Sequence, residues 1–156
     1  MKRLAALLMA PVATFIASCG LFHTTSAPPA GLGQEALDGK FAFIVSNVDT
    51  SPTFGNTSAQ GVYVIVSMAV RNVGTEAQSF ETAAQKLKDS TGRKYLASFV
   101  DPSPVGDGNN IKPGLQVSVK AVFDVPPDTR PTQIVLHDSA SSQGVPVNLR
   151  PSPRAG

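Results

Sequence analysis

The sequence predicts an all-β fold, an antiparallel immunoglobulin-like β-sandwich of about seven or eight strands. Three observations point there. From Phe41 onward apolar residues alternate with period two; Asn, Asp, Pro and Gly cluster between the alternating runs; and helical periodicity is almost missing, with only Gln34 to Leu37 and Glu81 to Lys86 able to hold a helical turn. A closed barrel shares this pattern, because strand count alone does not separate the two.

In the first run Phe41, Phe43 and Val45 share one face, while Ala42, Ile44 and Ser46 take the other. The run Gly61 to Arg71 is the strongest, with Val62, Val64, Val66, Met68 and Val70 on one side. Its second face, Tyr63, Ile65, Ser67, Ala69 and Arg71, is partly apolar as well, which predicts a central place in a sheet. Asn72 and Gly74 supply turn chemistry before a short strand near Gln78 to Phe80. Leu87 to Asp89 and Arg93 to Ala97 flank Asp89-Ser90-Thr91-Gly92, a hairpin signal with Asp first and Gly last. Lys112-Pro113-Gly114 fits a type II turn and launches the strand Leu115 to Val125, on which Lys120 takes the wet face. Pro126-Pro127 stops that strand, since neither residue can donate to a ladder. Two further strands, Gln133 to His137 and Val145 to Leu149, complete the set, and a Pro-rich tail follows at 151–156.

The start of the chain carries an address. Lys2 and Arg3 precede an uncharged run from Leu4 to Ile16, broken only by Pro11 and Thr14. That run is roughly 13 residues, too short for a membrane-spanning helix of about 20 and right for a signal peptide, here residues 1–18. It ends in Ile16-Ala17-Ser18-Cys19-Gly20, which resembles the lipobox of bacterial lipoproteins. The resemblance implies cleavage between Ser18 and Cys19 and diacylglyceryl thioether formation on Cys19, hence a membrane partner reached through lipid on the extracytoplasmic side. Ordinary cleavage with a bystander thiol is the plainer alternative. Against it stands the count, because Cys19 is the single cysteine and falls where a lipobox needs it. With that thiol consumed the domain can form no disulfide of its own, and its core alone must hold it.

Residues 19–37 read as a linker rich in Thr, Ser, Pro and Gly, its Thr and Ser being candidates for O-glycosylation. The fold itself is expected over residues 38–150. The net charge of +2 comes from Lys2 and Arg3, so the mature chain is balanced between cationic and acidic side chains. No basic run extends beyond pairs such as Arg93-Lys94, which argues against a nucleic-acid partner.

Chemistry-bearing patterns are few. His137-Asp138-Ser139 has the letters of a catalytic triad, yet neighbouring residues on a strand point to opposite faces, so His137 is expected at a strand end near solvent. His23 lies in the linker, leaving at most one histidine of the fold for zinc and no cysteine. No cofactor motif is found, and no metal site is assigned. The stretch Ser98 to Asn110 is the longest without a strand pattern, and Asp101, Asp107, Asn109 and Asn110 give it oxygen ligands that would suit Ca²⁺ as well as an ordinary turn. It is the expected recognition loop, since loops of more than about 12 residues are often functional.

Several of these residues form a pattern that resembles one family. Val70-Arg71-Asn72-Val73-Gly74, Asp89-Ser90-Thr91-Gly92-Arg93-Lys94-Tyr95, Ile111-Lys112-Pro113-Gly114 and Phe123-Asp124-Val125-Pro126 are similar to segments of small exported actinobacterial proteins with a telokin-like, immunoglobulin-like sandwich. The resemblance covers Phe41 to His137. It implies a secreted or lipid-anchored antigen without an assigned reaction, and it supplies no catalytic residue. Kinship with antibody domains is architectural only, because the chain has no Trp and no cysteine pair.

The expected function is therefore a non-enzymatic, membrane-tethered binding or structural module whose partner is a protein or a cell-envelope component. Two rivals stand beside it. One is a small metal-dependent hydrolase built from Asp101 to Asn110 and His137; the other is a carrier of a small apolar ligand held between the sheets.

Overall fold

The computed structural model describes residues 28–102 and 110–150. The signal and lipidation residues Ser18 and Cys19, the tail 151–156, and Asp107 and Asn109 of the expected loop lie outside the described residues.

Among the described residues eleven strands run in chain order: β1 (Glu35–Asp38), β2 (Phe41–Phe54), β3 (Thr57–Asn72), β4 (Gln78–Ser79), β5 (Lys86–Asp89), β6 (Lys94–Leu96), β7 (Phe99–Pro102), β8 (Asn110–Ile111), β9 (Gln116–Val125), β10 (Pro131–Leu136) and β11 (Val145–Asn148). They make a five-stranded sheet in the order β1-β2-β3-β9-β7, a four-stranded sheet in the order β11-β10-β5-β6, and a small β4-β8 pair. All strand pairs are antiparallel, and both large sheets have open edges, so the fold is a sandwich and not a barrel.

The period-two runs face inward as their pattern demands. Phe41, Phe43 and Val45 of β2, Val64, Val66 and Val70 of β3, and Ala121 and Phe123 of β9 are buried against Leu87, Ile134, Leu136 and Val147 of the other sheet. Phe80 closes one end, its ring 5.6 Å from Phe41 in a T-shaped arrangement. β3 is central, paired along nearly its whole length with β2 on one side and β9 on the other. Both turns read from the sequence form. Gly92 N–H donates to the Asp89 carbonyl at 3.1 Å, Leu115 N–H donates to Lys112 at 3.1 Å, and Gly114 sits at φ 75° as a type II turn requires.

Three expectations need correction. The helical turn at Gln34 to Leu37 is a strand: Ala36 is buried opposite Phe43, and an edge partner for β2 offered more buried area than a single turn of helix. The fold therefore starts before residue 38. Ala30 bridges Val147 in parallel, with Asn148 N–H donating to its carbonyl at 2.7 Å, so ordered structure reaches into the stretch expected as a linker, residues 19–37. Finally, the stretch 98–110 is not all loop. Phe99–Pro102 pairs with β9 and Asn110–Ile111 pairs with β4, because the open edge of β9 supplies hydrogen bonds that no local pattern announces.

β2 is longer than the alternation suggests. Its ladder to β3 shifts register between Val45 and Asn47, where Ser46 bulges out, and is interrupted between Ser51 and Thr53, where Pro52 stands against four residues of β3, Ala59 to Val62. Pro52 cannot donate to the ladder, and a bulge is where such a residue is tolerated. The bulges explain why the sequence pattern fades after Val45 although the strand continues.

Candidate functional site

Of the four residues expected in a recognition loop, two fall within the described chain. Asp101 lies in β7 opposite Lys120, and Asn110 lies in β8 opposite Ser79. They pair with strands of different sheets. Among the described residues no three His, Cys, Asp or Glu side chains come together as a metal ion would need.

His137 is not near solvent; it is 3% exposed. The reason lies in Gln85, itself fully buried, whose amide accepts from His137 N–H at 2.9 Å and donates to the His137 carbonyl at 3.0 Å. This two-point clamp continues the sheet with a side chain and pulls the strand end into the core. The ring Nδ1 lies 3.1 Å from the Ser142 carbonyl and 3.2 Å from its hydroxyl, and Nε2 has no protein partner. Asp138 points elsewhere. Its carboxylate accepts from Ser139 Oγ at 2.9 Å and from Lys40 N–H at 3.4 Å, while its own N–H donates to Asp38 Oδ2 at 2.7 Å. Gly39 makes this approach possible: at φ 53°, any Cβ there would overlap the Asp138 carboxylate. Ser139 thus bonds Asp138, while His137 turns to Ser142 instead of to either of them, and the triad relay does not form.

A shallow surface feature lies on the outer face of the five-stranded sheet. Register places its side chains in rows across the strands. Glu35, Ile44, Ala69 and Ser118 form one row; Asn47, Ser67 and Lys120 form the next; Asp49, Ile65, Val122 and Phe99 form the third. In the first two rows Ser67, Ala69 and Ser118 are small. Ser46, Ser67, Ala69 and Ser118 leave a shallow trough of about 450 Å³, walled by Ile44 and by Lys120. The third row has a different fate. Phe99 and Phe54 approach with ring centroids 5.2 Å apart, Tyr63 meets Phe99 edge-on at 5.8 Å, and Val122 beneath is completely buried although it faces outward.

The hairpin arm bearing Phe54 is held by Asp124, whose two carboxylate oxygens accept from Gln60 N–H at 2.8 Å and Gly61 N–H at 3.1 Å. These bonds take over where Pro126 ends the β9 ladder. Gly61 allows it, since a Cβ there would overlap the Val125 carbonyl. The trough itself offers hydroxyls, methyl groups and one ammonium, with Ser46 Oγ already donating to the Ser67 carbonyl at 3.1 Å. That set suits binding of a small apolar side chain beside an acidic group and contains no nucleophile and base in contact. Sequence reasoning placed Ser67 and Ala69 on a partly apolar face of β3 but could not see that Ser118 lines up with them, which is a matter of register.

The chain belongs to the family described as a domain of unknown function, DUF4352, whose model matches residues 30–147. No curated protein matches it. Among solved structures it is similar to MPT63, a secreted protein of Mycobacterium tuberculosis, at 17% identity and TM-score 0.57 over 81% of this chain and 100% of that one. It is also similar to the yjhA protein of Bacillus subtilis, at 15% identity and TM-score 0.56 over 78% of this chain and 99% of that one. A third, an uncharacterized β-sandwich protein of Clostridium difficile, matches at 12% identity and TM-score 0.50 over 79% of this chain and 95% of that one. The likeness is one of fold, and these sandwich relatives are not confined to actinobacteria.

Proposed function

We propose that this member of the DUF4352 family is a non-catalytic recognition module, displayed outside the cell on a lipidated Cys19, which captures a protein or envelope component on the outer face of its five-stranded sheet. The observation that carries the reading is the bare trough over Ile44, Ser67, Ala69 and Ser118, beside a core filled by interdigitated side chains from both sheets. Among the described residues the space between the sheets holds one cluster of buried apolar side chains, which favours the outer face over the carrier reading, and His137 bonded to Ser142 instead of Asp138 speaks against the hydrolase reading. Export and anchoring rest on the leader and on Ile16-Ala17-Ser18-Cys19, and a secreted protein among the solved relatives of like fold fits with them.

In sequence the stretch 103–109 follows β7, whose Asp101 pairs in register with Lys120 of the trough wall, and this makes it the second candidate for contact with a partner. The finer kinship with telokin-like actinobacterial antigens is part of this proposal and adds no residue to it.

The test is capture of envelope proteins and polymers by the purified chain and by Ser118→Arg, which fills the trough. Partners lost with Ser118→Arg at unchanged melting temperature support the sheet face. If the same partners are held by Ser118→Arg and lost when 103–109 is shortened to a tight turn, recognition belongs to the loop. If both variants capture everything the parent does, the face is not a recognition surface.

A further inference from the structure

A second hollow lies at the opposite side of the molecule from the β7 edge, where the chain enters the fold. Pro28, Pro29, Leu37, Val145 and Pro146 line a shallow apolar groove of about 520 Å³ between the outer edges of β1 and β11. Leu37 is 60% exposed there, on an outward-facing register position that a soluble sandwich ordinarily gives to a polar residue. The one acidic side chain at the rim, Glu35, is neutralised by Arg71 at 2.6 Å. The groove is thus apolar and without uncompensated charge.

The geometry points to this groove as a membrane-contacting surface, the site where the domain rests its apolar edge against the lipid interface; the inference rests on the lipid-anchor reading of Cys19. Chain length decides it. Nine peptide steps separate Cys19 from Pro28, and whatever their conformation they span at most about 30 Å. A domain of this size has a radius of gyration of about 14 Å, so a leash of that length cannot turn the far end toward the bilayer as readily as the near one. The entry point is fixed, because Ala30 is hydrogen-bonded into the edge of β11. The apolar groove therefore sits beside the leash, at high effective concentration over the lipid surface, where even a weak apolar contact is populated. The tip of the β2-β3 hairpin at Gly55 and Asn56 lies ten or more residues along β2 from Ile44, roughly 33 Å farther out.

The experiment uses the lipidated full chain in phosphatidylcholine vesicles. Lipid on Cys19 leaves an introduced cysteine as the only free thiol, so an environment-sensitive dye can be placed at Leu37→Cys, Pro146→Cys or Asn56→Cys. A quencher carried on the lipid chains should quench the dyes at Leu37 and Pro146 at least twofold more than the dye at Asn56. Adding Leu37→Asp to the Pro146→Cys chain should return its quenching to the Asn56 level. Equal quenching at all three sites, on protein that floats with the vesicles, overturns the docking surface while the anchor stands. Protein that does not float overturns the anchor reading and the docking with it. A dye at Leu37 that is already shielded in the soluble Cys19→Ala chain means that a second copy or another part of the chain covers the groove, and overturns the proposal too.

Discussion

The two halves of one sheet face have opposite fates. At the hairpin end of the five-stranded sheet, outward-pointing Val122 is as buried as any core residue, beside its strand neighbour Phe99, whose ring meets Phe54 and, edge-on, Tyr63. Two rows away along the same strands, outward-pointing Ser67, Ala69 and Ser118 stay open to solvent. Strand geometry is the same in both halves. What differs is whether an element from elsewhere in the chain supplies a lid: the arm beyond Gly61, held by Asp124, and the edge strand β7 do so for one half and leave the other bare. A dry outer half is a structural device, and the bare half with its small-residue floor is the one we propose takes a partner.

The comparison can be broken first at its baseline, the inner face. Val66→Asp should unfold the domain or cost at least about 4 kcal/mol, because the carboxylate enters a fully packed core without a partner. Lys120→Asp, on the outer face, should shift the urea midpoint only slightly. A small loss for Val66→Asp would mean that the two-faced reading of β3 is wrong.

The lid is the next target. Phe99→Ala uncovers Val122 and removes two aromatic contacts, and since Phe99 is only half-buried the expected loss is about 2 kcal/mol, below that of a fully buried ring. Phe54→Ala should cost less, about 1 kcal/mol, because it removes one of those contacts. Ile44→Ser, in the bare half, should stay within about 0.5 kcal/mol. Equal losses at Phe99 and Ile44 in equilibrium unfolding would erase the distinction between the halves.

A smaller effect, confined to acid, separates the sheets from the turn that serves neither half. The hydroxyl of Thr91, with backbone N–H groups of Arg93 and Thr91 and the Tyr95 hydroxyl, holds the Asp89 carboxyl below the ordinary carboxylate value, outweighing the opposing effect of burial. The folded state therefore prefers ionised Asp89. Its contribution is whole above the unfolded value of about 4 and is lost as pH falls through the lowered native value. Asp89→Asn should flatten the fall in unfolding midpoint below about pH 4 while leaving the difference between Phe99→Ala and Ile44→Ser unchanged. An acid limb identical in parent and Asp89→Asn would show that the hairpin contacts do not survive in solution.

The smallest change in stability, and the most telling for function, is Ser118→Arg. Placed on the trough floor at the surface, it should leave the melting temperature within about 2 °C, in keeping with a surface substitution below about 0.5 kcal/mol. A large destabilisation would show that the trough is closed in solution and that the halves are alike.

By itself the sequence determined what a local chain can encode. Period-two alternation marked Phe41 to Val45, Gly61 to Arg71 and Leu115 to Val125 as strands with a dry face, and each is a strand whose predicted face meets the core, apart from half-buried Val62 and Val117. Asp89 to Gly92 and Lys112 to Gly114 marked their turns, because turn type depends on a few consecutive φ values that Asp, Pro and Gly bias directly. Only the tertiary structure decided the rest. Glu35–Asp38 and Phe99–Pro102 are strands since open edges of β2 and β9 lay beside them, and neither run carries a clean alternation of its own. His137 is buried since Gln85, fifty-two residues earlier, reaches its backbone. The trough exists since register brings Ser118 of β9 beside Ala69 of β3 and Ile44 of β2. Hydrogen bonds between strands join residues distant in sequence, so which outward side chains become neighbours is fixed by pairing, and pairing has no local signature.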